Sequence, residues 1–172
     1  MEVEIRACEP EDAAALSLVG QATFLETYAH FMPRADMLHH CANEHAAARY
    51  AGWLGKPGYG FWLAEAAGGG APVGYIMLSP PDLPIPTGPD DVELKRIYLL
   101  HRLQGTGVGA RLMGTAIEQA RLMGARRLLL GVHGGNERAI AFYARHGFER
   151  AGVRTFQVGS SAYDDLVLAR AV

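Results

Sequence analysis

The sequence predicts an α+β domain built on a mixed central sheet of about seven strands, in the order β α α β β β α β α β β. Three observations predict it. Apolar runs of strand length recur along the chain, bounded by glycine, proline and small polar residues. The second half holds a strand, a glycine-rich turn, a helical segment and a further strand in succession, which makes a β–α–β unit. The 172 residues, 49% hydrophobic and 20% charged, suit one domain over residues 1–172, with no linker or internal repeat to divide it.

Val3 and Ile5 alternate with Glu2, Glu4 and Arg6, the pattern of a short opening strand. Pro10-Glu11-Asp12 begins a helix, because proline fits the first turn and acidic groups there oppose the helix dipole. Leu16, Val19, Phe24, Leu25 and Tyr28 supply its apolar positions, and Pro33 ends or bends it. Met37, Leu38, Cys41, Ala48 and Trp53 indicate a second helix that finishes near Gly55 and Pro57. Strands over Phe61–Glu65 and Val73–Ser79 follow, joined by Gly68-Gly69-Gly70. Pro80, Pro81, Pro84, Pro86 and Pro89 then make residues 80–91 a long loop, since neither helix nor central strand tolerates that density. Val92–Leu100 reads as a strand, Val108–Met123 as a helix with Val108, Leu112, Ala116 and Met123 on its apolar face, and Gly124 as its left-handed cap. Leu128–Val132 is continuous enough in apolar residues for a strand buried on both faces. Asn136 caps a helix that runs to His146 and ends at Gly147, and strands over Phe148–Val158 and Tyr163–Ala169 finish the order.

Composition excludes several function classes. A net charge of −2 and the lack of a basic cluster argue against nucleic acid. Cys8 and Cys41 have no metal-type spacing, so no metal site is expected. No apolar stretch approaches the ~20 residues of a membrane helix, and the first residues lack a signal-peptide layout, so a cytoplasmic protein is expected.

The segment from Leu99 to Ala110 runs from a strand through Gln104-Gly105-Thr106-Gly107-Val108-Gly109 into a helix. A helix start offers unpaired N–H groups and a partial positive charge, and glycine lets an anion come close. Among phosphate-binding loops, the GxxxxGK[ST] pattern is absent. The GxGxxA reading of Gly105, Gly107 and Ala110 lacks the acidic residue about 20 positions on that a dinucleotide ribose needs. The third pattern, Gln/Arg-x-x-Gly-x-Gly/Ala, is filled by Gln104, Gly107 and Gly109. Downstream, Asn136, Ala139, Phe142, Tyr143, Gly147 and Phe148 match Asn-x-x-Ala-x-x-Phe-Tyr-x-x-x-Gly-Phe at every specified position. With these two segments, covering about residues 92–150, the chain resembles the GNAT superfamily of N-acetyltransferases.

The resemblance implies a three-layer fold whose sheet splays between its fourth and fifth strands, and acetyl-CoA as the acetyl donor. Backbone groups of Ile97, Tyr98 and Leu99 would meet the pantetheine arm, and the turn Gln104, Gly105, Thr106, Gly107, Val108, Gly109 and Ala110 would hold the diphosphate. Asn136 would reach the pantetheine or phosphate region, and Tyr143 would protonate the departing thiolate. A homodimer is one assembly the family commonly adopts.

Direct transfer to an amine needs no protein nucleophile, and the sequence shows no nucleophile–base arrangement. It does need a proton acceptor, because an alkyl amine arrives charged near neutral pH. Glu93, on the strand that meets the donor, is the first candidate base and His101 the second. Glu26, Asp36, Glu44, Asp90, Asp91, Asp164 and Asp165 fall in segments that could line an acceptor groove and steer a cation. The tail from Phe156 to Gly159 and the run from Glu93 to Leu99 are similar to the bacterial spermidine/spermine acetyltransferases, which implies a polyamine-like small-molecule amine. Acetylation of a protein N-terminus or lysine, or CoA sensing without catalysis, fits the same motifs.

Overall fold

A computed structural model describes residues 1–172. Its strands are β1 (Val3–Ala7), β2 (Gly60–Ala66), β3 (Pro72–Ser79), β4 (Asp91–Leu99), β5 (Arg127–His133), β6 (Glu149–Val158) and β7 (Ser161–Ala171). Its helices are α1 (Ala13–Tyr28), α2 (Arg34–Glu44), α3 (Ala47–Trp53), α4 (Val108–Leu122) and α5 (Glu137–Arg145). The strands form one seven-stranded sheet in the order β1-β2-β3-β4-β5-β7-β6. All neighbours are antiparallel except β4 and β5, which run parallel across the β4–α4–β5 crossover.

Both faces of the central strands are buried, which explains their continuous apolar runs. Along β3, Ile76 and Leu78 point to one face with Leu112, Met113 and Ala116 of α4. Tyr75 and Met77 point to the other with Leu16 and Val19 of α1 and Tyr50 and Trp53 of α3. The expected three layers are therefore present.

The β4–β5 contact is short. Asp91, Val92 and Glu93 pair with Arg127, Leu128 and Leu129, and beyond Glu93 the two strands part. This is the expected splay, and it opens the middle of the sheet.

Three local expectations change. Pro10–Asp12 forms a 3-10 turn ahead of α1, with Asp12 Oδ2 accepting the Glu9 N–H at 2.7 Å. The second expected helix is two, α2 and α3, broken at His45 and Ala46. The Ser17 hydroxyl donates to the His45 carbonyl at 2.6 Å, and Ala46 is extended, so the helical ladder stops there. Leu25, Leu38 and Met123, read as apolar-face residues, are exposed. The left-handed caps at Gly124 and Gly147 are as expected, with φ of 84° and 81°.

Candidate functional site

The splay opens into a cavity of about 770 Å³ between β4, β5, α4 and α5. Ile97, Tyr98 and Leu99 form its β4 wall, Gly131 to His133 its β5 wall, and Asn136, Phe142 and Tyr143 its α5 side. Leu100 donates its N–H to Val73 of β3, so strand alternation turns the backbone of Leu99 and Ile97 away from β3, toward the gap.

The glycine turn sits at one end. Gly105 and Gly107 have φ of 83° and 90°, and a β-carbon on either would meet nothing within 4 Å, so the surface over them is open. The N–H groups of Gly105, Gly107, Val108, Gly109 and Ala110 donate to no protein group, as expected of a helix start. Gln104, Gly105, Gly107, Gly109 and Ala110 line the cavity. Two residues of the expected turn set do not. Thr106 gives both its N–H (3.3 Å) and its hydroxyl (2.6 Å) to the Leu103 carbonyl. The Val108 side chain is buried in the core beneath the turn, leaving only its N–H on the outside. His101, Arg138 and Arg145 add imidazole and cationic side chains to the lining.

Asn136 does what a cap residue does: its Oδ1 accepts the Ala139 N–H at 3.1 Å, which starts α5 and aims Tyr143 inward one to two turns later. Tyr143 is buried, and its hydroxyl has no protein partner. Burial, reinforced by neighbouring Tyr98, pushes its pKa up, so it keeps its proton at neutral pH.

A second cavity, about 560 Å³, lies on the α1–α2 side of the sheet. Tyr28, Phe31, Lys95, Arg96, Tyr98, Gly131 and His133 line both, so the two spaces join through the splay. The Tyr28 and Tyr98 hydroxyls stand 3.2 Å apart at that junction. His40, Glu44, Glu93, Arg154, Phe156 and Asp165 complete the walls of the second cavity.

Of the two candidate bases, Glu93 is 2% exposed and reaches only the second cavity, with Oε2 accepting the Asp82 N–H at 2.8 Å. It ties the proline loop to β4. His101 lines the first cavity and donates its backbone N–H to Glu26 Oε2 at 2.9 Å.

The expected acidic groove is not assembled. Only Glu44 and Asp165 of that set line the second cavity. Glu44 faces Arg49 and Arg96 at 3.4 and 3.6 Å, and Asp165 binds Arg154 at 2.8 Å. Asp91 is held by Arg127 at 2.7 Å, and Asp90 lies 3.9 Å from Arg126. Asp36 holds α2 to the β6–β7 hairpin by accepting from Ser160 and Ser161. Each was a cation-steering candidate in the sequence; five arginines now face Glu44, Asp90, Asp91 and Asp165, and serines hold Asp36.

Sequence reasoning missed His133, Phe31 and Arg154. His133 ends β5, stacks on Phe31 with ring centroids 5.0 Å apart, and borders both cavities. It was legible only as the residue that follows the apolar run Leu128–Val132. No cluster of three or more His, Cys, Asp or Glu side chains could hold a metal ion, and no helix is long and apolar enough to cross a membrane.

Comparison with known proteins places these features. Residues 24–148 match the model of the acetyltransferase (GNAT) family. An uncharacterized N-acetyltransferase of Mycobacterium tuberculosis is 40% identical over 126 residues, 73% of this chain and 75% of the relative. Another, from Lactobacillus delbrueckii subsp. lactis, is 28% identical over 171 residues, 99% of this chain and 98% of that one. Among solved structures, the PaiA N-acetyltransferase of Thermoplasma acidophilum in complex with coenzyme A superposes with a TM-score of 0.81 at 21% identity, covering all of both chains.

Proposed function

This chain belongs to the acetyltransferase (GNAT) family, and we propose that it transfers acetyl from acetyl-CoA directly to the primary amine of a small molecule. One observation carries the reading: a turn with five unclaimed N–H groups opens into a cavity that ends at a buried, protonated and unpartnered phenol.

The residues fit the donor. Open space over Gly105 and Gly107 admits a diphosphate to those N–H groups, at the positive end of α4. The backbone of Ile97 and Leu99, unpaired on the β5 side, can take a strand-like arm as a sheet edge would. When bound, acetyl-CoA supplies an activated thioester carbonyl that a neutral amine attacks without a protein nucleophile. An N–H on the open edge of β4 can stabilise charge developing on that carbonyl oxygen. Tyr143 holds the proton that leaves with the sulfur.

The acceptor enters from the other face. Its cavity, about 560 Å³, is bordered by α2, the β6–β7 hairpin and Asp82 of the proline loop, a volume that suits a small molecule. The polyamine version of that acceptor loses its electrostatic support, because arginine faces the carboxylates that would have drawn a polycation.

Calorimetry with CoA, then thiol release on a panel of amino acids, short peptides and polyamines, tests the proposal. Micromolar CoA binding and turnover with a small amine are expected. Absence of CoA binding by folded protein would end it.

A further inference from the structure

We infer that His133 is the proton acceptor for the incoming amine, held in position by Asp165 and, behind it, Arg154. The inference rests on the acetyltransferase reading above and adds the residue that reading leaves open.

The sheet register brings the three together. His133 of β5 pairs with Asp165 of β7, and Asp165 pairs with Arg154 of β6. Residues paired across neighbouring strands point to the same face, and all three side chains line the acceptor cavity. Only His133 of the three also lines the donor cavity, so it alone borders both reactants.

The bonding inside this row is incomplete in two places, at Arg154 Nε and at Asp165 Oδ1, both buried without a partner. Asp165 is 5% exposed, and its Oδ2 accepts from Arg154 Nη2 at 2.8 Å. Its Oδ1 is buried without any partner. A buried carboxylate oxygen left unmatched is costly, so its neighbours reveal what it is for. His133 Nδ1 stands 3.9 Å from that oxygen, too long for a hydrogen bond and about 1 Å from making one. Such contacts are often long before substrate binds and tighten in the complex. Asp165 therefore favours the tautomer with its proton on Nδ1, which leaves the Nε2 lone pair free as the base. Phe31 stacks on one face of the ring and Tyr163 meets it edge-on at 5.9 Å, which limits its rotation. The charged and titratable groups that share these cavity walls with it include Asp165 and Tyr163 from β7, Arg154 from β6, Lys95, Arg96 and Tyr98 from β4, and Tyr28 from α1.

Glu93 is the competing base. It has one oxygen committed to the Asp82 N–H, and it does not reach the donor cavity.

The step balances. The ammonium gives one proton to His133 Nε2, and the nitrogen lone pair forms the new C–N bond as the C–S bond breaks. The sulfur leaves with the Tyr143 proton. The second nitrogen proton re-protonates Tyr143 through solvent, and His133 releases its proton to bulk.

Two readouts test this. In kinetics, His133→Ala and His133→Gln are expected to lower kcat by about 10²–10⁴-fold while CoA affinity by calorimetry stays the same. Added imidazole should restore part of the alanine variant's rate. In ¹⁵N-histidine NMR, which needs no turnover, His133 should appear as the Nδ1–H tautomer and lose that preference in Asp165→Asn. A His133→Ala enzyme within about threefold of the parent kcat overturns the inference, as does an Nε2–H tautomer at His133. A protein that binds CoA but acetylates nothing fails the broader reading instead, and the NMR result still decides the Asp165–His133 pair.

Discussion

The guanidinium of Arg154 lies directly against the Cα of Gly131, in the space a β-carbon there would occupy. Gly131 is on β5 where the sheet has already splayed, and it borders both cavities. The missing side chain leaves room for the Arg154 guanidinium, which crosses β7 from β6, to lie over Gly131 while it holds Asp165 on the strand between. Alanine inside a strand normally improves on glycine by roughly 0.5–1 kcal/mol. Here the sign should reverse: Gly131→Ala pushes Arg154 off a buried carboxylate and should cost about 1–3 kcal/mol. Urea denaturation reads it as a fall in midpoint with the slope unchanged.

Tyr143 gives a test of chemistry separated from folding. Its hydroxyl bonds to no protein group, so Tyr143→Phe should leave thermal stability nearly unaltered. If the phenol delivers a proton to sulfur, kcat should fall about 10²-fold or more with CoA affinity preserved. A CoA-binding protein without catalysis would show no such split between rate and affinity.

Gly107 is the residue on which the turn depends. At φ 90° and ψ −15° it caps α4 in a left-handed conformation, and no neighbouring atom lies where a β-carbon would go. Gly107→Ala should therefore cost about 1–2 kcal/mol of stability from backbone strain alone. The added methyl would also occupy the open space through which the diphosphate approaches the turn, so CoA affinity should weaken by about tenfold or more, equal to about 1.4 kcal/mol. Calorimetry at a temperature where both proteins are folded separates the two effects.

These cases show which parts of the molecule were readable in advance. The β4–turn–α4 segment was, because positive φ and an open helix start demand glycine in a short window, and Asn136 and Tyr143 sit at fixed offsets on one helix. Strand positions were legible from apolar runs that reflect burial on both faces. What was not legible depends on long-range register. His133, Asp165 and Arg154 become neighbours only through the β5–β7–β6 order, which puts the last strand in sequence between two earlier ones. The same distance hid the fate of the acidic residues. Asp36, read as a groove carboxylate, meets Ser160 and Ser161 more than 120 residues away. The break between α2 and α3 also depends on a contact outside its own segment, Ser17 reaching the His45 carbonyl 28 residues on.

Two buried histidines make stability depend on pH in a defined window. His40 is 8% and His45 1% exposed. Burial, then the charge of Arg96, pushes His40 down to about 4 and His45 down to about 2. His45 Nδ1 hydrogen-bonds with the Tyr50 hydroxyl at 2.9 Å, and that hydroxyl also accepts from Arg96 at 2.8 Å, so a second positive charge is disfavoured there. An unfolded histidine takes up its proton near pH 6.5, whereas the folded chain leaves both rings neutral until well below that. The unfolded state then binds more protons, so stability is fully present above about pH 6.5 and falls as the pH drops, by at most about 1.4 kcal/mol per unit for each ring. Carboxylates that are lowered too, Asp12, Asp36 and Asp91, start from a lower ordinary value and lose their contribution only as pH falls below the usual carboxylate range near 4. The interval from pH 6.5 to 4.5 thus belongs to the histidines. Urea midpoints should decline across it, and His40→Gln should make the decline shallower by removing one titrating ring. A midpoint that stays flat from pH 7 to 5 would mean that these rings gain protons in the folded protein as easily as in the unfolded chain.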